Sequence, residues 1–287
     1  MATGILYIVA TPIGNLEDIT FRAVRILKEV DLIAAEDTRH SSRLLKHYGI
    51  TTPTTSYHDY TDSKKRASLM RRLATGDKIA LISDAGTPGI SDPGYRLISE
   101  AVAGGIEVTA VPGPSVLTAA LSAAGLPTDA FYFNGYLPNR AAARRKVLRS
   151  LAERRETLVL YEAPHRITAS LSDMKDLLGN RRIAVCREMT KLHEEIFRGN
   201  LEEALQNFST REKIRGEFTL VVEGAKKDPA LPVDLNLPDE ITRAMEGAGV
   251  NRKEAVRIVA ERFGLPKKVV YRASLTDKDS HLPSSPR

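Results

Sequence analysis

Thirteen residues, Ile82-Ser83-Asp84-Ala85-Gly86-Thr87-Pro88-Gly89-Ile90-Ser91-Asp92-Pro93-Gly94, concentrate the side chains that shape a binding loop: three glycines, two prolines and two aspartates. Glycine permits positive φ and close backbone approach, proline fixes φ, and the start of a following helix offers unpaired N–H groups. The apolar run Ile79–Ile82 precedes the segment and the amphipathic run Tyr95–Val102 follows it. That places it at the carboxyl end of a strand, where open α/β sheets bind ligands. Taken alone it also reads as a tight turn with two Asx-type contacts. The same grammar recurs, however. Thr11-Pro12-Ile13-Gly14-Asn15-Leu16 follows the apolar Leu6–Ala10, and Pro112-Gly113-Pro114-Ser115 follows Ile106–Val111. A fourth loop, Glu36-Asp37-Thr38-Arg39-His40, is acidic and basic instead, and follows Leu32–Ala35.

Several chemistries are excluded by their patterns. No Gly-x-x-x-x-Gly-Lys-Ser/Thr cradle for phosphates occurs, and Thr11-Pro12-Ile13-Gly14 does not match a dinucleotide fingerprint. There is no Gly-x-Ser-x-Gly elbow. His40, His47, His58, His165, His193 and His281 show no metal-ligand spacing, so no metal is expected. The single cysteine, Cys186, lies in the apolar run Ile183–Cys186 and reads as a buried thiol in a reducing compartment. What remains is a crevice of closely approached backbone, short side chains and few fixed charges. It suits a ligand that brings its own reactive group.

The elements that must position these loops alternate. Helices are expected around Ile19–Val30, over Ser41–Tyr48, after a cap at Thr61 or Asp62, after Gly94 and over Val116–Ala124. Strands alternating with helices argue a mainly parallel, helix-covered sheet. From Phe131 the grammar changes. A strand Phe131–Phe133 breaks into Gly135–Pro138, a basic helix spans 139–153, and Thr157–Tyr161 ends in Glu162-Ala163-Pro164-His165-Arg166. Strands at Arg182–Arg187, Glu195–Arg198 and Phe218–Val222 then follow with only a short helix, 201–208, among them, which suggests a mixed or antiparallel sheet. The fold class is α/β, with an N-terminal domain over 1–115 and a second over 116–224. A proline-rich linker is expected over 225–238, then a helix-turn-helix-like module over 239–275 and a disordered tail over 276–287.

The net charge is +6, and two segments carry it. Residues 139–156 hold seven cations, Arg140, Arg144, Arg145 and Lys146 among them, against two carboxylates; residues 252–272, with Arg252, Lys253, Lys267 and Lys268, hold the same ratio. Either is also explained as a solvated helix face, but two together suggest a polyanionic partner. No stretch approaches the ~18 continuous apolar residues of a membrane span, and the amino terminus lacks a basic signal region, so a cytoplasmic protein is expected.

The four loops, Thr11–Thr20, Glu36–Arg39, Ser83–Gly94 and Val111–Ser115, together resemble the tetrapyrrole-methylase-like superfamily, and within it the methyltransferases of ribosomal RNA. The resemblance runs in register through residues 5–224. It implies two α/β domains with S-adenosylmethionine folded in the cleft between them, a homodimer, and 2′-O-methylation of a cytidine ribose in small-subunit ribosomal RNA, free or assembled. By motif it implies that Asp84, Ala85 and Thr87 line the methionine end, that Pro114 and Ser115 approach from the other side, that Tyr161 faces the adenine with Met189 nearby, and that Pro12 sits against the cofactor. Glu36, Asp37, Arg39, Asp92 and His165 are the polar candidates near strand ends. Glu36, Asp37 and Arg39 are expected on the substrate side as the catalytic set, Arg39 on a phosphate; the alternative is an internal Asp37–Arg39 turn contact. No base is assigned. Arg140, Arg144, Arg145, Arg252, Lys253, Lys267 and Lys268 are expected on RNA. A tetrapyrrole methyltransferase of the same fold and a non-catalytic RNA-binding assembly factor are the competing readings. The basic segments weigh against the first and the intact loops against the second.

Overall fold

The computed structural model describes residues 4–58, 63–226 and 235–275, and the chain divides into two compact units, the first ending at Ala225 and the second beginning at Lys226. In the first unit, β1 (Ile5–Val9), β2 (Leu32–Ala35), β3 (Thr54–Ser56), β4 (Lys78–Ile82) and β5 (Glu107–Val111) form one sheet in the order β3-β2-β4-β1-β5. Every pairing in it is parallel. Parallel strands need crossovers, and helices α1 (Phe21–Glu29), α2 (Thr38–His47), α3 (Ser63–Ala74) and α4 (Tyr95–Ala103) lie between the strands. Leu6, Ile8 and Leu81 pack with Leu69, Leu73 and Leu97, whereas Val9, Ile33 and Ile82 pack with Ile26, Leu27 and Leu45. Alternate residues of each strand are therefore buried on opposite faces, which is why the strands read as unbroken apolar runs. β3 has no such signal: Thr54-Thr55-Ser56 is a short, partly exposed edge, and the sequence reading misses it.

The second sheet holds β6 (Phe131–Tyr136), β7 (Thr157–Glu162), β8 (Arg182–Arg187), β9 (Glu195–Asn200) and β10 (Phe218–Val222) in the order β6-β7-β10-β8-β9. β6 and β7 run parallel and the other pairings are antiparallel, so the sheet is mixed. Helix α5 (Val116–Ala124) covers one face through Ala120, Leu121, Val159, Ala184 and Val221. Helices α6 (Ala141–Leu151), α7 (Ile167–Leu178) and α8 (Leu201–Ser209) cover the other around Leu158, Leu160 and Leu220.

Among the boundaries that differ from the sequence reading, three have a plain physical reason. Helix α2 starts at Thr38 rather than Ser41, because the Asp37 carboxylate accepts from the Arg39 N–H at 2.8 Å and caps it. Strand β6 continues to Tyr136 rather than stopping at Phe133: its register shifts between Phe133 and Gly135, and Gly135 absorbs the bulge at φ +71°. The last module begins at Leu237 rather than 239, since Pro238 fits a first helical turn. The cap candidates Thr61 and Asp62, most of the linker (227–234), the tail 276–287 and residues 1–3 lie outside the described residues.

In the second unit, α9 (Leu237–Ala248), α10 (Arg252–Phe263) and α11 (Lys267–Ala273) share a core of Leu237, Ile241, Val256, Val259 and Val270. Asn251 caps α10 by accepting from the Glu254 N–H at 3.0 Å, and Gly264-Leu265-Pro266 makes the tight turn into α11. No helix among the described residues is long and apolar enough to cross a membrane.

Candidate functional site

Strand order decides where the glycine/proline loops meet. They follow β1, β4 and β5, and those three strands are neighbours in the first sheet. The loops are also stitched together. Thr11 and Gly86 exchange backbone hydrogen bonds of 2.8 and 3.0 Å, the Thr11 hydroxyl donates to the Ser83 carbonyl at 3.1 Å, and the Thr87 hydroxyl donates to the Pro114 carbonyl at 3.4 Å. Gly86 sits at φ +82°, a conformation that only glycine adopts without strain. Together they form one wall of a cleft. Tyr136, Tyr161, Cys186, Met189 and Thr219, from the second sheet and its loops, form the other.

The structure brings Ala85, Thr87, Ser115, Tyr161 and Met189 together as lining residues of this cleft, and does not place Pro12, Asp84 or Pro114 there. Pro12 is buried beside the Thr11–Gly86 pair. Asp84 turns instead toward the loop after β2: its Oδ1 accepts from the Asp37 N–H, and its own N–H donates to Glu36 Oε2, both at 3.2 Å. Glu36, Asp37 and Arg39 thus sit at the next strand end and outside the cleft lining, and the Asp37–Arg39 contact is a helix cap made through the Arg39 backbone.

Asp92 is the carboxylate of the long loop that does line the cleft. Its burial, with the charge of Glu36 second, pushes its pKa up to about 6, although the Ser83 side chain beside it opposes the shift. Burial also pushes Tyr161 up to about 12 and Cys186 up to about 11, and raises Tyr136. Tyr136 and Tyr161 meet edge to face, with ring centroids 5.5 Å apart. Across the cleft Lys191 Nζ lies 2.9 Å from both Glu188 Oε1 and Glu217 Oε2. Ser91, Glu188 and Thr190 are the non-glycine residues at positive φ among the described residues, and all three border this cleft or flank residues that line it. Such strain collects at functional sites.

Sequence reasoning missed Tyr136, Glu188, Lys191 and Glu217, and left Asp92 without a role. Asp92 had a signal, since it repeats the Asp-x-Gly/Pro grammar of the loop. The others had none: Tyr136 reaches the cleft only through the β6 bulge, and Glu188, Lys191 and Glu217 only through the folding of the β8–β9 and α8–β10 connections.

The basic residues separate. Arg144 is 5% exposed, and its guanidinium is 2.7 Å from Asp173 beneath α6. That corrects the expectation that it faces RNA: the residue lies on the buried stripe of its helix. Arg145 bonds Asp173 at 2.5 Å and Asp176 at 3.2 Å from a half-buried position, and Arg140 is exposed at the start of α6. In the helical unit Arg252, Lys253, Lys267 and Lys268 line one groove with Asn251 and Tyr271, the last 53% exposed. Arg252 is oriented there by donating to the Ser274 carbonyl at 3.0 Å.

Residues 5–205 match the family model of tetrapyrrole (corrin/porphyrin) methylases. The chain is 48% identical over 275 residues to a protein of Synechocystis sp. named ribosomal RNA small subunit methyltransferase I, covering 95% of this chain and 98% of that one. A protein of the same name from Halalkalibacterium halodurans is 46% identical over 93% of both chains. Among solved structures, uroporphyrin-III C-methyltransferase from Thermus thermophilus, complexed with S-adenosylhomocysteine, superposes with a TM-score of 0.51 at 19% identity, over 76% of this chain and 97% of that one.

Proposed function

The chain belongs to the tetrapyrrole methylase family, and on that premise we propose that it methylates the 2′-hydroxyl of a cytidine ribose in small-subunit ribosomal RNA, using S-adenosylmethionine. The observation that carries this reading is the near-half identity to ribosomal RNA small subunit methyltransferases along 95% of the chain, a span that takes in residues of both compact units.

The residues present fit that cofactor. The cleft wall at Gly86 carries no Cβ, so a ligand can approach the backbone closely there. Ala85 and Met189 offer apolar contact, Thr87 and Ser115 offer hydroxyls, and Tyr161 offers a ring face or edge to a nucleobase. The carboxylates of Glu188 and Glu217 line the same cleft, with Lys191 as their counter-charge, and suit a cationic group. When bound, the sulfonium supplies an activated methyl group. The chain must then mainly align, desolvate and deprotonate.

RNA contacts are placed on Arg140 and Arg145 of the α6 region and on Arg252, Lys253, Lys267 and Lys268 of the helical unit. Arg144 is left out. The reacting nucleotide enters unstacked, as RNA recognition of this kind requires. We place the enzyme in the cytoplasm with its substrate, and in a homodimer, where Phe21 and Leu192, exposed by 97% and 93%, are apolar side chains for a partner copy to cover.

The test is incubation with methyl-labelled S-adenosylmethionine and isolated small subunits, followed by mapping of the label. Methyl on a cytidine ribose is expected; label on a porphyrin-type substrate alone, or none despite tight RNA binding, overturns the reading. A second outcome concerns the helical unit. Deleting residues 235–287 removes the four groove cations and is expected to flatten the log–log salt dependence of RNA binding by about 3, with S-adenosylhomocysteine affinity unchanged. Loss of that affinity in calorimetry would show that the unit is not separable.

A further inference from the structure

Resting on the ribose-methylation reading, we propose that Asp92 is the general base that takes the proton from the ribose hydroxyl as it is methylated. Position comes first. The long loop carries two aspartates, and the fold sends them in different directions: Asp84 to the backbone of Asp37, Asp92 into the cleft facing the second-sheet wall. Ser91 at φ 60° precedes it and Gly94 at φ 139° closes the turn, so the backbone around Asp92 is constrained on both sides. Ser83, just after β4, lies beside the carboxylate, and its hydroxyl donates to the Ala85 carbonyl at 3.3 Å.

The competing groups are committed elsewhere. Glu36 accepts from the Asp84 N–H, and the Asp37 carboxylate caps α2. Glu188 and Glu217 share the Lys191 ammonium. Tyr136 and Tyr161 are raised above the usual phenol range, so both hold their protons near neutrality, and Cys186 is likewise a neutral thiol. Asp92 makes no ion pair among the described residues. The groups that face it are Glu36 and Asp84 beside its own loop, Glu217 before β10, and the hydroxyls of Tyr136 and Tyr161. Burial and those negative neighbours leave it titrating at about 6. It is therefore ionised at neutral pH and a stronger base than a solvated carboxylate, which is where a general base works best. In the step, a bond forms between the ribose oxygen and the methyl carbon while the carbon–sulfur bond breaks and leaves its electron pair on sulfur. The hydroxyl proton passes to Asp92 Oδ.

A raised carboxylate also costs stability. The folded pKa lies above the unfolded value, so the folded state loses stability as pH rises from 3.8 to about 6 and does not regain it above. Asp92→Asn lacks that loss. Its melting temperature is expected to equal or exceed the wild-type value at pH 7.5, so a fall in activity cannot be assigned to misfolding.

The experiment compares wild type and D92N by methyl transfer to isolated small subunits, by S-adenosylhomocysteine calorimetry, and by carbon-13 NMR of labelled aspartate carboxyls. The wild-type turnover is expected to fall tenfold per unit below about pH 6, and one carboxyl to titrate at about 6. D92N is expected to lose that carboxyl signal and the acid limb, to turn over about 100- to 10,000-fold more slowly, and to keep its S-adenosylhomocysteine affinity. Turnover in D92N within about threefold of wild type, or an acid limb that survives the substitution, overturns the base and leaves ribose methylation standing. A wild-type enzyme that places no methyl on ribose overturns the functional reading, and the base with it.

Discussion

Replacing Glu162 with alanine is expected to lower the stability of the α/β unit by about 3–5 kcal/mol, the usual effect of removing one partner from a buried ion pair. Glu162 is 1% exposed at the end of β7 and lies 2.6 Å from the Arg166 guanidinium. Its carboxylate also accepts from the Ser170 hydroxyl and, at 2.8 Å, from the Ala163 N–H. Arg166 in turn donates to the Leu137 carbonyl at 3.1 Å and to Asn139, so the network ties the end of β7 to the turn that leads into α6. Truncating Glu162 leaves a largely buried cation without its carboxylate, and its Nε already has no partner among the described residues. Chemical unfolding of Glu162→Ala, Arg166→Met and the double variant measures this. The double variant is expected to recover most of the loss, since a buried pair exchanged for apolar side chains is often near neutral. If both single variants lie within about 1 kcal/mol of wild type, the network is not the lock described.

Replacing Ala85 with tryptophan is expected to weaken S-adenosylhomocysteine binding by at least 100-fold, about 2.8 kcal/mol. Ala85 is exposed on the loop after β4, and its methyl group borders the cleft beside Thr87 and Ser115. An indole at this position occupies the space that the ligand needs. The same exposure makes the change cheap for the fold, within about 0.5 kcal/mol, as for other surface substitutions. Calorimetry and unfolding read the two effects apart. Full affinity in A85W would move the cofactor out of this cleft. Asp84→Ala serves as the contrast. Its carboxylate accepts from Asp37 and so holds the acidic loop, and its loss is expected to act on that loop more than on the cleft.

Much of this site can be read from the chain. The repeated glycine/proline grammar locates three strand ends, and the apolar runs before them identify strands buried on both faces. What the grammar could not convey is direction. Asp84 and Asp92 look equivalent eight positions apart, and only the pairing of β2 beside β4 draws Asp84 away. Arg144 and Arg145 look like one basic patch, yet successive helical residues point about 100° apart, and Asp173 lies on the side that Arg144 faces. Tyr136 was lost to the loop because a bulge interrupts the alternation that marks a strand.

The sequence by itself determined the α/β class, the change from parallel to mixed sheet, the three loops, five of the residues that line the cleft and the separate helical unit. These depend on local rules: apolar periodicity, turn residues, and motifs long enough to be matched in register. Only the tertiary structure decided which polar groups share the cleft. Glu188, Lys191, Glu217 and Tyr136 reach it from connections far apart in the chain, and the environment that lifts Asp92 to about 6 is assembled from both sheets. The acidity of a group is set by the charges and the solvent around it in space, and those neighbours do not exist until the chain has folded.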